Sequence, residues 1–350
     1  MFCVITGGSG SGKSEYAENL IQTLCKESGG GIMYYFATMV PFGEETEKKI
    51  QRHRTLRAGK GFSTVECYTG LKNTVENVRK EQEKQGDGSK KTCVLLECMS
   101  NLAANELYME NGAKKQTVQE ILEGIRVLQK WCEHLVVVTN EIFSEAEKYT
   151  EEMQCYKKVL GEINCRMGER AEYIAEVVYG IPFPVKAEAR LIEQITKRNS
   201  KDTRERMTIQ MKLIVGGSCQ GKQKAAQEEY PEIEWCDGAV CSMDAIYSCQ
   251  GIYHFEAFIR RRLKENPDLD AERFVSSLAE KNPKLVLISD IVGCGLVPVD
   301  AFERLYREQT GRICTCIARR AEEVLYVICG RKIWLKGPEN KHADAIGGEK

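Results

Sequence analysis

Apolar residues in the first half of the chain gather into short, nearly unbroken runs. They cover residues 2–6, 32–38, 93–97, 135–140 and 175–180, with a further run at 182–186. The segments between them carry periodic apolar positions and predict helices over 14–25, 43–57, 115–131 and 146–170. A strand covered on one face alternates apolar and polar residues. A continuous run such as Cys93-Val94-Leu95-Leu96 instead suits a strand buried on both faces. Strands alternating with helices in this way predict an α/β domain around a mainly parallel sheet.

The alternation stops over residues 187–210, a charged stretch that includes Lys197-Arg198-Asn199-Ser200-Lys201-Asp202 and reads as a linker. It then restarts. Met211 to Gln223 echoes residues 1–15, Leu285 to Asp290 echoes Leu135 to Asn140, and Ala321 to Gly330 echoes Ile174 to Gly180 more loosely. One long internal repeat is a tandem of two related domains, not a solenoid. The expected division is a first domain over 1–186, a linker over 187–210, a second domain over 211–336 and a polar tail over 337–350.

At 350 residues the chain has room for two compact domains. Its net charge of -1 provides no basic field for nucleic acid. No run of about 18 apolar residues is present, so no membrane span is expected. The chain enters a strand at once, which leaves no room for a signal peptide. Sixteen cysteines without a C-x-x-C pair, and only four histidines, argue against a zinc site. Many of the cysteines, Cys3, Cys93, Cys132 and Cys329 among them, sit in apolar runs as small hydrophobes. A reduced, cytoplasmic protein is expected.

The chemistry concentrates in Gly7-Gly8-Ser9-Gly10-Ser11-Gly12-Lys13-Ser14, directly after the first strand. It fits G-x-x-x-x-G-K-[ST], the phosphate-binding loop. Glycines let backbone N–H groups converge on phosphate oxygens with no Cβ in the way. Lys13 would reach the β- and γ-phosphates, Ser14 would ligate Mg²⁺, and the next helix would point its N-terminus at the anion. A metal-organising acid belongs at the end of another buried strand. Glu97 ends the run 93–97, at the edge where open α/β sheets bind ligands; an ordinary strand-end acid is the alternative reading.

His53 lies on a polar helical segment among Arg52, Arg54 and Arg57. A histidine so placed is either solvated and inert, or a neutral nucleophile among phosphate-clamping guanidiniums. The second domain repeats Gly216, Gly221 and Lys222, but Gln223 stands where the metal-binding hydroxyl belongs, and an amide is a poor substitute. The middle of that domain also lacks a clear apolar strand ending in an acid to hold that metal. It reads as catalytically silent.

Several segments together resemble the bifunctional adenosylcobinamide kinase / adenosylcobinamide-phosphate guanylyltransferase family of cobalamin biosynthesis. They are Thr6-Gly7-Gly8 through Lys13-Ser14, Tyr35-Phe36-Ala37-Thr38, Ile50-Gln51-Arg52-His53-Arg54 with Arg57, Thr64-Val65-Glu66, Leu95-Leu96-Glu97-Cys98 with Asn101 and Asn105, and Val138-Thr139-Asn140-Glu141. Order and spacing fit through residues 1–186. The resemblance implies a RecA-like phosphate-loop fold, Mg²⁺, ATP and GTP as substrates, and phosphorylation of adenosylcobinamide followed by GMP transfer from GTP. By motif position the histidine that carries GMP is His53. Lys13 and Glu97 would act in catalysis, with Arg54, Arg57 and Glu66 among the nucleotide-binding residues. The family suggests trimers, so a homo-oligomer is expected, while a fused second domain could change the symmetry; the net charge leads us to expect no nucleic-acid partner.

Two departures matter. The segment Arg57-Ala58-Gly59-Lys60-Gly61-Phe62 replaces the family's Arg-Pro and Trp after the histidine helix. The family's Gly-x-Gly-x-Val-Pro segment is missing after Glu141, yet present in the second domain as Gly293-Cys294-Gly295-Leu296-Val297-Pro298, before Tyr306-Arg307-Glu308 and Gly311-Arg312. The losses are complementary, so the second domain is expected to dock on the first and bring Gly293–Pro298 to the interface. A kinase of the same fold without guanylyl transfer, and a nucleotide-binding regulator, are the alternative functions.

Overall fold

The computed structural model describes residues 1–145, 150–187 and 209–337, without the side chains of residues 44, 45, 48, 49, 52, 53, 56 and 209. The expected linker and tail fall almost wholly outside the described residues.

The first part of the chain runs β1 (Phe2–Thr6), α1 (Lys13–Glu27), β2 (Ile32–Ala37), α2 (Gly43–Arg57), β3 (Phe62–Glu66), α3 (Leu71–Lys84), β4 (Thr92–Glu97), α4 (Met99–Tyr108), α5 (Thr117–Trp131), β5 (His134–Val138), α6 (Glu151–Arg170), β6 (Tyr173–Val178) and β7 (Ile181–Lys186). The strands form one sheet in the order β3-β2-β4-β5-β1-β6-β7, parallel except for the β6–β7 hairpin. Alternate residues of each strand point to opposite faces. Cys3, Ile5, Leu95 and Val136 pack against Ala17, Leu20, Ile21 and Leu24 of α1. Phe2, Val4, Val94, Leu96 and Val137 pack on the other face against α3 to α6. Both faces are dry, which is why the strands read as continuous apolar runs.

The second part runs β8 (Ile209–Gly216), α7 (Lys222–Glu229), β9 (Trp235–Asp237), β10 (Gly251–Tyr253), α8 (Phe255–Glu265), α9 (Ala271–Lys281), β11 (Val286–Asp290), α10 (Ala301–Arg320), β12 (Ala321–Ile328) and β13 (Arg331–Lys336). Its sheet order is β13-β12-β8-β11-β10-β9. Read from the other edge, this repeats the first sheet, with no counterpart of β3 among the described residues. The sequence echoes coincide with β8 for β1, β11 for β5 and β12 for β6, and the α/β architecture in tandem is as expected.

The boundaries differ in detail. The run 135–140 is a strand only to Val138, and the run 175–180 is a strand over Tyr173–Val178 followed by a turn. The helix expected over 146–170 spans Glu151–Arg170, capped where Thr150 Oγ1 accepts from the Met153 N–H at 3.3 Å; residues 146–149 lie outside the described ones. The helix expected over 115–131 starts as a 3₁₀ turn at Lys114–Gln116. β3, α3 and α4 were not anticipated.

The two parts share packing. Val178 and Tyr179 belong to the core of the second sheet, and Leu296 belongs to a core of the first.

Candidate nucleotide site

β1 delivers the chain to the carboxyl edge of the sheet, and the loop Gly7–Gly12 turns it into α1. Gly10 and Gly12 have φ of 69° and 83°, left-handed values that suit glycine. Lys13 Nζ donates to the Gly8 carbonyl at 3.0 Å, folding back over its own loop. Burial pushes its pKa down, while Cys98, Glu97, Cys294 and Glu308 pull it up. Ser11 Oγ is buried without a hydrogen-bond partner among the described residues.

Ser14 Oγ donates to Glu97 Oε1, and Tyr35 donates to Glu97 Oε2 at 3.1 Å. A hydroxyl and a carboxylate thus meet beside Lys13, a donor set of hard oxygens that suits Mg²⁺. Among the described residues no group of three or more His, Cys, Asp or Glu is placed to hold a metal. An ion here would therefore take its other ligands from phosphate and water, as Mg²⁺ commonly does.

Beside Glu97 a cavity of about 500 Å³ opens under α2, lined in part by Tyr35, Ile50, Arg54, Arg57 and Glu66. The Arg57 guanidinium stacks 3.5 Å from the Tyr35 ring centroid, and its buried Nη1 has no hydrogen-bond partner among the described residues. Arg54 and Glu66 are 3.6 Å apart and exposed. Behind the cavity wall Lys60 pairs with buried Glu18 at 2.5 Å. So Lys13, Ser14 and Glu97 converge, and Arg54, Arg57 and Glu66 surround the adjoining cavity. Residue 53 lies on α2, one position before Arg54; its side chain is outside the described residues.

The outer side of the phosphate loop is covered by the second part of the chain. The Ser9 N–H donates to the Gly293 carbonyl at 2.9 Å. Thr315 Oγ1 donates to the Gly10 carbonyl at 3.0 Å. A Cβ on Gly8 would stand 2.9 Å from Cys294 Sγ, and one on Gly10 would stand 2.7 Å from the Glu308 carbonyl oxygen. Arg307 locks the junction, paired with Glu145 at 2.8 Å and donating to the Leu296 carbonyl at 3.0 Å. The segment beginning at Gly293 therefore lies on the first loop, as its absence from the first half led us to expect.

The second loop copies the first and then departs from it. Lys222 Nζ donates to the Gly217 carbonyl at 2.7 Å, as Lys13 does to Gly8. Gly330 N–H donates to the Gln220 carbonyl at 3.0 Å, as Gly180 does to Ser11 at 2.7 Å. Matching the strand registers places Tyr253 at the position of Glu97, and Asp290 at that of Asn140. Asp290 pairs with Lys222 at 2.5 Å.

Sequence reasoning missed Tyr35 as the partner of Glu97, and Glu145, Gly311 and Thr315 as contacts of the junction. Gly311 was visible only as part of a Gly-Arg pair.

A parallel sheet with a phosphate loop facing a strand-end carboxylate defines a nucleoside-triphosphate-binding α/β protein. A sequence model of the family described as "Cobinamide kinase / cobinamide phosphate guanyltransferase" matches residues 3–185 and 244–335, and the chain belongs to that family. It is a family of transferases. The chain is 25% identical over 197 residues to the bifunctional adenosylcobalamin biosynthesis protein CobU of Salmonella typhimurium LT2 and 26% identical over 197 residues to that of Escherichia coli K12. It is 28% identical over 185 residues to CobP of Pseudomonas aeruginosa. Each match spans 53% of this chain and 100%, 100% and 97% of the respective relative. Among the described residues no helix is long and apolar enough to cross a membrane.

Proposed function

We propose that this protein phosphorylates the aminopropanol hydroxyl of adenosylcobinamide and then transfers GMP to the product, giving adenosylcobinamide-GDP. The observation that carries this reading is the convergence of Lys13, Ser14 and Glu97 beside a cavity roofed by the helix of His53. In the first step the hydroxyl oxygen attacks the γ-phosphorus, its bond to the nucleoside diphosphate breaks, and the hydroxyl proton is released to water. Lys13, with its charge held beside the loop, offsets charge on the phosphate oxygens. Ser14 and Glu97 would hold Mg²⁺, which when bound neutralises phosphate charge.

In the second step an imidazole nitrogen of His53 attacks the α-phosphorus of GTP and pyrophosphate leaves. The phosphate of adenosylcobinamide phosphate then attacks the same phosphorus. The P–N bond breaks, a phosphoanhydride forms and His53 is regenerated. Covalent catalysis divides one transfer into two easier displacements. Arg54, Arg57 and Glu66 orient the phosphates and the nucleoside from the cavity wall, and Arg57 Nη1, without a partner among the described residues, is a donor available to an anion.

The test is incubation of the protein and of His53→Ala with Mg²⁺ and GTP labelled at the α-phosphorus. Expected is acid-labile label on denatured wild type, absent from the variant and discharged by phosphorylated cobinamide. No label on wild type would remove the nucleotidyl-transfer half of the proposal.

A further inference from the structure

The helix α10 carries several arginines, and most of them are tied to other elements. Arg307 pairs with Glu145 of the first half. Arg319 pairs with Glu15 and Glu272, and Arg320 with Glu272. Arg312 is different. Among the described residues its side chain is bonded to Glu308 alone, one turn back on its own helix, and both side chains are about a quarter exposed at 27% and 23%.

This pair flanks the point where α10 touches the phosphate loop. Gly311 lies against Gly10, and a Cβ on Gly10 would stand 3.1 Å from the Arg312 backbone nitrogen. Glu308 is near enough to Lys13 to act on its charge. The corresponding helix of the first half supplies a control. α6 and α10 have equal length, with Gly161 and Gly311 at the same position. Where α10 has Glu308 and Arg312, α6 has Lys158 and Glu162. Of these two helices the arginine stands on the one that lies against a phosphate loop, and its one partner among the described residues is a carboxylate that phosphate oxygens can replace.

We propose that Arg312, supplied by the second half of the chain, contacts the terminal phosphates of the nucleotide held by the first-half loop, with Glu308 holding its guanidinium when no nucleotide is bound. The inference rests on the reading of Gly7–Ser14 as a triphosphate site. A planar guanidinium binds phosphate through paired hydrogen bonds, a geometry that lysine lacks. Exchange of Glu308 for a phosphate keeps the charge matched in both states. Glu308 therefore competes with the ligand, and removal of either member of the pair should act on affinity in opposite directions.

The experiment measures binding of Mg²⁺·GTP, Mg²⁺·ATP and GMP to the full chain and to Arg312→Ala, Arg312→Lys and Glu308→Gln. Expected is about a tenfold or greater loss of triphosphate affinity in Arg312→Ala. Arg312→Lys should fall between that variant and wild type, GMP affinity should move little, and Glu308→Gln should bind triphosphate at least as tightly as wild type. A purely structural ion pair gives a different pattern, with Arg312→Ala and Glu308→Gln equally impaired, or neither. That pattern overturns the proposal. If Arg312→Ala does not fold, the contrast between Arg312→Lys and Glu308→Gln decides. Absence of nucleotide binding by wild type would fail the underlying site reading; wild-type binding that is unchanged in Arg312→Ala fails only the role of the arginine.

Discussion

Gly10 of the phosphate loop and Gly311 of α10 meet backbone to backbone: a Cβ on Gly311 would stand 2.8 Å from the Gly10 Cα, and one on Gly10 would stand 2.9 Å from the Gly311 Cα. The two residues belong to different halves of the chain, and neither position has space for a side chain. Gly311 is helical, so alanine would suit its backbone. A loss on substitution is then a packing effect. Gly311→Ala should push α10 off the loop at a cost of about 1–3 kcal/mol, the range for overpacked contacts. Thermal unfolding should register the loss, and nucleotide affinity should fall with it as the Thr315–Gly10 and Ser9–Gly293 hydrogen bonds loosen. Wild-type stability and affinity in this variant would show that the junction yields without consequence.

The junction also carries a dependence on pH. Burial raises the pKa of Glu176 above its ordinary value of 4.5, and the Glu141 carboxylate raises it further. Glu141 offers no relief, since its Oε2 is itself buried without a partner among the described residues. The fold binds this proton more tightly than the unfolded chain does. The stabilising contribution is thus complete below about pH 4.5 and is lost as pH rises through the folded pKa. Glu176→Gln should match wild type in acid and exceed it at neutral pH. Urea unfolding of both proteins at pH 4.5 and 7.5 reads the difference, and parallel pH dependence in the two would count against a perturbed Glu176.

The fold was legible where structure is local. β1, the phosphate loop and α1 announce themselves because an apolar run, a glycine spacing and a helix start follow one another in sequence. β3 escaped because Phe62-Ser63-Thr64-Val65-Glu66 lies at the sheet edge, with polar residues exposed and only two apolar positions. α3 escaped because its buried stripe is just Leu71, Val75 and Gln82 in an otherwise charged helix. Glu97 could be singled out as a strand-end acid. Its meeting with Ser14 and Tyr35 depends on how β4, β2 and α1 pack, which no spacing records. The junction was half legible: the Gly293–Pro298 segment, missing from one half and present in the other, pointed to a division of labour. The glycine contact that permits docking joins residues distant in sequence and has no local signal.

The register between the two sheets leads to a last expectation, that the chain binds one nucleotide and not two. Lys222 is where Lys13 would be, but it is buried against Asp290 at 2.5 Å, so its charge is already matched by a carboxylate of the same half. A phosphate entering this loop would have to displace Asp290 and leave that carboxylate without its partner, a desolvated charge of the wrong sign beside the ligand. Gln223 supplies no hydroxyl for a metal, and Tyr253 at the register position of Glu97 supplies no carboxylate. Calorimetric titration with Mg²⁺·GTP should therefore give one site per chain. Lys13→Ala should abolish that site. Lys222→Ala should leave its stoichiometry and affinity unchanged while lowering stability, by about 3–5 kcal/mol if the ion pair behaves as other buried pairs that lose one partner. Two sites in the wild type, or loss of the single site in Lys222→Ala, would mean that the second loop still binds nucleotide despite its internal carboxylate.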